Sequence, residues 1–435
     1  MALGGGTWAF QNKVLAGTFI NFISAARASA ILSDRGIATI PLVLDWGELG
    51  KIVEVTTGDL QRNSMRLFGY SFTDPKMKPL RELFRNIRIG YIFRLGTGGV
   101  KATNTYATAR HAGVRGNALK ISVQPNPDDI TKKIVMLMLD NSVVNTQTVG
   151  TSSELADDDY VIYNKTATLD DTSGMPLAGG INPTITNGDY QTYLDAAEPY
   201  SFNSIGCPSN DSAIKLLFTA FTKRMRDERG VKFQCVTYNN PADFEGNVNA
   251  MNKVTDDGAD EFALVYWVTG AMAGTAVNRS ALNKIYDGEY TIDVNYTQTQ
   301  LETAITSGKF GFHKVGNDIR VLADINSLVT VTVDKGEIFK ENQTIRVIDQ
   351  IANDIAVMFN TRYLGIVPND EAGRISLWAD IVKHHEQLKA IRAIENFTSE
   401  NVTVEQGETK RAVLVKDSIT VVNAMAQLYM SVYVS

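Results

Sequence analysis

Residues 411–435 read RAVLVKDSITVVNAMAQLYMSVYVS, and they decide how the rest of the chain is to be read. Two apolar runs, 412–415 with Val413 and Val415, and 419–422, precede a tail in which Leu428, Met430, Val432 and Val434 alternate with Tyr429, Ser431 and Tyr433. Such alternation marks strands with two different faces. A strand with nothing after it either docks on its own domain or is offered to a neighbour. The other end reads alike: glycines at 4–6, then Trp8 and Phe10, then TFINFI at 18–23, which carries Phe19, Ile20 and Phe22. Unpaired apolar edges invite aggregation unless a partner is intended, so arms of this kind at both ends point to a subunit of an assembly.

Composition narrows the class. A chain of 435 residues exceeds one ordinary core, so roughly two to four domains are expected. With 44% hydrophobic and 21% charged residues it is globular rather than disordered. A net charge of -6 leaves no basic footprint for nucleic acid. No apolar run of about 18 residues is present, so no membrane insertion is expected, and the glycine-rich start lacks the regions of a signal peptide. Cys207 and Cys235 sit among small or apolar neighbours and are expected as reduced, buried thiols made in a cytoplasm.

Between the arms the text is α/β. Residues 37–44 and 52–55 read as strands around the polar turn Asp45-Trp46-Gly47, 77–86 as a short helix and 89–95 as a strand ending in Gly96-Thr97-Gly98-Gly99. Past those glycines the text turns β-like and turn-rich, with strands expected at 118–123, 133–139, 142–149 and 160–163. Short strands spaced by turns indicate a small β-sandwich, inserted because α/β text resumes after it. Helices are expected at 189–197 and 212–229 and strands at 232–238 and 262–269, giving a mostly parallel sheet covered on both faces. Ile345, Ile348, Ile351, Ile355 and Phe359 mark a helix of about 20 residues, and Asp370 can cap a second in which Trp378, Ile381, His385 and Leu388 share a face. The resulting division is an arm at 1–22, an α/β domain at 23–100 and 184–333, an inserted β-sandwich at 101–183, and a C-terminal α+β domain with its strand arm at 334–435.

Candidate chemistry is sparse. Gly96-Thr97-Gly98-Gly99 follows a strand but opens no helix, so a hinge between domains is expected rather than a phosphate loop. Gly270 to Gly274 follows the run at 262–269 and precedes 281–286, and lacks the Lys-Ser/Thr ending of a phosphate loop; a tight strand-to-helix turn is expected. His384 and His385 are neighbours, about 100° apart on a helix, and not the i,i+4 pair of zinc sites; His385 is expected as a packed, hydrogen-bonded histidine. His111 and His313 have no ligand partners at metal spacing, and the runs at 157–159 and 256–257 lack a calcium-loop pattern. No catalytic residue, metal or cofactor is assigned. Asp370, Glu371 and Arg374, with Lys383, Glu386, Lys389 and Arg392, give the second C-terminal helix a dense polar face, where i,i+3 pairs such as Lys383 with Glu386 contribute little. That face is a solvated surface or meets a partner of complementary charge.

Several stretches together resemble the contractile phage tail sheath proteins of myophages and R-type bacteriocins. They are GIATIPLVLDWG (36–47), FRLGTGGVKA (93–102), AGVRGNALKISV (112–123), GAMAGTAVNRS (270–280), IRVLADINSL (319–328) and the paired strands of 413–434. Each is weak alone; their order and spacing make the match specific. The resemblance implies a structural subunit without a turnover site, polymerised as stacked six-fold rings around an inner tail tube. It would shorten from a metastable extended state to drive the tube through an envelope, with baseplate and terminator proteins as further partners. It also implies arms that add strands to neighbouring subunits, a C-terminal domain facing the tube, a sandwich projecting outwards, and a place in the tail of a virion or bacteriocin particle assembled in the host bacterial cytoplasm. A non-contractile tail tube or capsid-like subunit is the alternative.

Overall fold

The computed structural model describes residues 32–434. The arm residues Trp8, Phe10, Phe19, Ile20 and Phe22 therefore lie outside the described residues. The described residues open with β1 (Ile37–Leu42), β2 (Ile52–Thr56), α1 (Thr57–Phe68), α2 (Lys78–Phe84) and β3 (Ile89–Arg94). Six strands of the insertion follow: β4 (Ala107–Ala109), β5 (Leu119–Pro125), β6 (Lys133–Leu139), β7 (Ser142–Val149), β8 (Val161–Tyr163) and β9 (Thr172–Pro176). The α/β unit resumes with α3 (Asn187–Ala197), β10 (Ser204–Gly206), α4 (Ser212–Arg224), β11 (Gln234–Tyr238), β12 (Asn247–Ala250), α5 (Leu264–Gly274), α6 (Gln298–Thr306), β13 (Lys309–Phe310), β14 (Phe312–Val315) and β15 (Asp318–Val321). The C-terminal unit holds α7 (Asn342–Arg362), α8 (Glu371–Ala390), β16 (Ile394–Glu395), β17 (Val402–Gln406), β18 (Val413–Asp417) and β19 (Thr420–Val421).

The central sheet runs β13-β12-β11-β10-β1-β3-β2, parallel throughout except for β2, which lies antiparallel to β3 at one edge. Both faces are covered, as a parallel sheet requires. Alternate residues serve two cores: Ala38, Ile40, Ile92 and Val236 pack with α1, α2 and α5 on one side, and Phe93, Ile205 and Cys235 with α3 and α4 on the other. Both cysteines are free and buried; burial pushes the Cys235 thiol up to about 12 and raises Cys207 as well.

Three sequence expectations are corrected. Residues 262–269 are not a strand but the start of α5, whose residues Leu264 to Ala273 are all buried. A run apolar on every side carries no period, so a wholly buried helix and a buried strand look alike. Gly270 and Gly274 therefore lie inside a helix rather than in a strand-to-helix turn, and residues 281–286 are irregular chain paired along β15. The two glycines let α5 meet α2 at backbone distance: a Cβ on Gly270 would lie 2.4 Å from the Leu83 carbonyl oxygen, and one on Gly274 1.7 Å from that of Asn86. Backbone cannot yield as a side-chain tip can, so Gly274→Ala is expected to destabilise the folded chain by about 3 kcal/mol, read as a lower urea midpoint. Helix α1 had no counterpart in the sequence reading; its signal was the box Thr56-x-x-Asp59 with Gly69 as C-cap. Lys383 and Glu386 form no ion pair among the described residues.

The insertion is a four-stranded antiparallel sheet, β7-β6-β5-β9, with a separate β4-β8 pair. Its entry and exit chains cross side by side, through bridges Thr97 with Thr184, Val100 with Ile181 and Thr103 with Ala178. Gly96 and Gly99 have positive φ at this crossing, and a Cβ on Gly96 would lie 2.7 Å from Pro183. The unit is less self-contained than its composition implies. Trp46 and Met65 of the α/β domain pack into the core of the insertion, and Arg115 donates to the Gly69 carbonyl at 2.7 Å.

Candidate assembly site

β17 and β18 form an antiparallel ribbon in full register, from Val402 opposite Asp417 to Gln406 opposite Val413. Val404 faces Val415, so Val413 and Val415 are paired within their own chain. Among the described residues no third strand pairs with either outer edge of the ribbon, although the Val402 carbonyl accepts from Trp378 Nε1 at 3.0 Å. A two-stranded ribbon is marginal by itself; this one is held from beneath by α8 through Leu377, Ile381 and Val402.

After β19 the chain leaves the domain. Val422 donates to the Ala393 carbonyl, and Gln343 bonds both Val422 and Ala424. From Met425 onward the described chain lies in solvent, with Leu428 85%, Met430 74%, Val432 69% and Val434 92% exposed. These alternating residues pair with no strand among the described residues.

On α8, Glu371, Lys383, Glu386 and Lys389 are exposed, as are the flanking Asp370 and Arg392, while Arg374 is half-buried. Asp370 is the N-cap and accepts from the Gly373 amide at 2.8 Å. Arg374 donates to the Asn369 carbonyl at 3.1 Å and Lys389 to that of Phe397 at 2.8 Å. Three of the polar-face residues therefore have a local structural task.

The joint between the central and C-terminal units was not read from sequence. α7 inserts two charges into the central domain. Asp349 forms a bidentate pair with Arg226 at 2.6 and 2.8 Å, both residues buried. Burial pushes Arg226 down, but the charge and hydrogen bonds of Asp349 outweigh it and hold its pKa above the usual guanidinium value. One turn earlier Arg346, fully buried, pairs with Asp324 and donates to the Arg279 carbonyl at 3.1 Å. Asp324 also accepts from Ser280 Oγ at 3.1 Å and the Ala281 amide at 2.8 Å. The segments 270–280 and 319–328 thus converge on one arginine. Beside them Arg35 is lowered to about 9, first by burial and then by Arg346.

The crevice of about 510 Å³ beside Leu42, Leu95 and Ser209 sits where sheet order reverses, a favoured ligand position in such sheets. Its Lys76 is engaged by Asp45 at 2.6 Å and Tyr70 at 2.8 Å. Burial lowers His111 to about 4 and lowers His313 too. Among the described residues no group of three or more His, Cys, Asp or Glu is placed to hold a metal ion. No described helix is long and apolar enough to cross a membrane.

An exposed C-terminal tail, a two-stranded ribbon and an inserted sandwich on a mostly parallel sheet define a multidomain α/β protein, and the comparisons say to which family it belongs. Four family models match in chain order: the tail sheath protein Gp18 domain III N-terminal region at 35–88, the phage tail sheath protein beta-sandwich domain at 97–182, the central domain at 184–327 and the C-terminal domain at 334–435. The chain belongs to the phage tail sheath family and is a tail sheath structural subunit. It is 30% identical over 471 residues to the phage-like element PBSX protein XkdK of Bacillus subtilis, covering 100% of both chains. The sheath tail protein of Desulfitobacterium hafniense is 36% identical, with 94% of this chain and 98% of that one covered and a TM-score of 0.83. The contracted helical sheath of the anti-feeding prophage shares the fold at 12% identity, with 97% and 99% covered and a TM-score of 0.59.

Proposed function

We propose that the subunit polymerises as stacked six-fold rings around a tail tube and contracts to drive that tube through a cell envelope. The observation that carries this reading is the match between donor and acceptor: a ribbon that meets no third strand among the described residues and an exposed, alternating tail long enough to lie along it. Strand addition gives main-chain hydrogen bonds for strength and alternate side chains for register. Val413 and Val415 would belong to the accepting ribbon, and Leu428, Met430, Val432 and Val434 to the donated strand. The N-terminal arm with Trp8, Phe10, Phe19, Ile20 and Phe22 would take the other edge. The polar face of α8, with Lys383, Glu386 and Arg392 projecting freely, would meet the tube, and baseplate and terminator proteins would close the ends. The particle would be a virion or bacteriocin tail built in a bacterial cytoplasm. About 300 Å² of extra apolar surface buried per subunit on contraction would release about 7 kcal/mol, without nucleotide.

Electron microscopy of the chain co-expressed with its tube and baseplate tests the reading. Expected are two forms, one long and narrow, one short and wide; a single fixed length and diameter would overturn contraction. The division at 1–22, 23–100, 101–183, 184–333 and 334–435 yields a second test. Replacing 101–182 by a short Gly/Ser linker is expected to leave polymerisation intact. Trp46, 1% exposed in the full chain, needs changing to Ser in that deletant to remove the uncovered ring. A folded deletant that never polymerises would show that the sandwich is part of the lattice.

A further inference from the structure

The two adjacent histidines of α8 are both buried, and their ring nitrogens meet: His384 Nδ1 lies 3.3 Å from His385 Nδ1. The outer nitrogens reach carboxylates in opposite directions. His384 Nε2 is 2.9 Å from Asp354 Oδ2 on α7, and His385 Nε2 is 2.7 Å from Asp417 Oδ2 on β18. The chain Asp354–His384–His385–Asp417 contains three contacts, and each needs one proton to be a hydrogen bond rather than two facing lone pairs. Two neutral imidazoles supply two.

We propose that this chain binds one further proton, shared between His384 and His385, and so latches the root of the C-terminal tail to Leu32 and Ser33, the first described residues. Both ends reach those places. Asp417 closes β18, shortly before the tail leaves the domain. Asp354 accepts from the Ser33 amide at 3.3 Å and from Gln350 at 2.8 Å, while Gln350 also holds Ser33 Oγ at 2.6 Å. The Leu32 amide donates to Gln387 at 3.3 Å, one turn along α8.

The surroundings suit a single positive charge. On α7 the facing charges are Asp354 and, farther along, Asp349, which is paired with Arg226. From the chain before β1 come Arg35, which donates to the Met272 and Thr275 carbonyls at 2.9 Å, and Asp34, which with Arg229 lines the cavity beside His384; these two are paired outward with Arg88 and Glu198. On β18 the group is Asp417, and Lys416 beside it is exposed and paired with Glu405. The apolar wall is Phe397, whose ring centroid lies 5.1 Å from that of His385. On α8 itself, Lys383 and Glu386 point to solvent. Burial pushes Asp354 up, yet the bonds from His384, Ser33 and Gln350 outweigh it and keep its carboxyl below the usual value. Two carboxylates with one shared cation leave the chain of four at a net charge of about -1, against -2 without the extra proton.

The protein has four histidines, which makes the test direct. Burial lowers both His111 and His313, so neither is expected to add an imidazolium signal at pH 7.5. Assembled sheaths labelled with ¹⁵N-histidine are expected to show one imidazolium equivalent at pH 7.5 by solid-state NMR, and His385→Gln is expected to abolish it. Four neutral rings, or an imidazolium that persists in the variant, would overturn the shared proton. If His385→Gln fails to fold, Asp417→Asn removes the carboxylate charge and offers an amide N–H that can donate to His385 Nε2, supplying the third proton, so it is expected to abolish the same signal. Amide exchange in the soluble chain reads the latch: residues 402–417 are expected to exchange about ten- to a hundredfold faster in Asp417→Asn, the loss of one charge-assisted bond. Unchanged exchange there would overturn the link to the arm root.

Discussion

A chain truncated after Ala424 is expected to fold like the full protein and to form no rings. The reason is a difference in what the two processes use. Residues 425–434 are exposed, and among the described residues their one side-chain hydrogen bond, from Tyr429 to Gln427, is internal to the tail. Their removal therefore changes monomer stability by less than about 0.5 kcal/mol. In an added strand, Leu428, Met430, Val432 and Val434 would each bury most of a side chain, at about 1.5 kcal/mol apiece, or about 6 kcal/mol per junction before the entropy of ordering. A point variant separates side-chain burial from main-chain pairing. Conservative changes such as Val432→Ile are expected to be tolerated, since one cross-strand pair contributes about 0.2–1 kcal/mol. Val432→Pro removes a ladder donor and is expected to block polymerisation where that amide faces the partner. Sedimentation and microscopy decide the matter: normal sheaths from the truncated chain would sink the arm reading, as would an assembled particle in which no neighbour's strand lies on the β17–β18 ribbon.

Asp324→Ala is expected to have the largest effect on the monomer, a loss of about 3–5 kcal/mol. The carboxylate is buried, and the variant would leave Arg346 with one carbonyl and the Met272 sulfur for its five donors. Arg346 Nε already lacks a partner, so little slack remains. Removing the charge on both sides is expected to cost less. Asp324→Leu with Arg346→Met should recover at least half of the loss, because a well-packed apolar pair leaves no uncompensated ion. Urea unfolding of the soluble chain measures both variants. Equal losses in the single and double variants would show that the Ser280, Ala281 and Asn342 bonds to Asp324, rather than the ion pair, hold the joint.

Acid bears on the other side of α7. Asp354 is held below the usual carboxylate value in the folded chain, so its contribution is complete above about pH 4 and is lost as pH falls through its folded value. The attachment of Ser33 to α7 is expected to loosen at low pH.

Much of this protein is local and was legible from its residues. β6 and β7 begin and end where alternation and the Asp140-Asn141 turn place them. α7 and α8 follow from one-sided apolar spacing and the Asp370 cap. The tail shows in sequence because its alternation does not depend on what it meets. Residues 262–269 mark where local pattern stops being informative: a segment buried on every side has no polar face to set its period, and only its neighbours make it a helix. The same holds for Gly270 and Gly274, whose role is the distance to α2, and for Arg346, Asp324, Arg226 and Asp349, which lie 22 to 123 residues from their partners. His384 and His385 were legible as neighbours on a helix. Tertiary packing alone turned their rings together and supplied Asp354 and Asp417 at either end, because a side chain's partners across the chain are set by the fold and not by its position in the sequence.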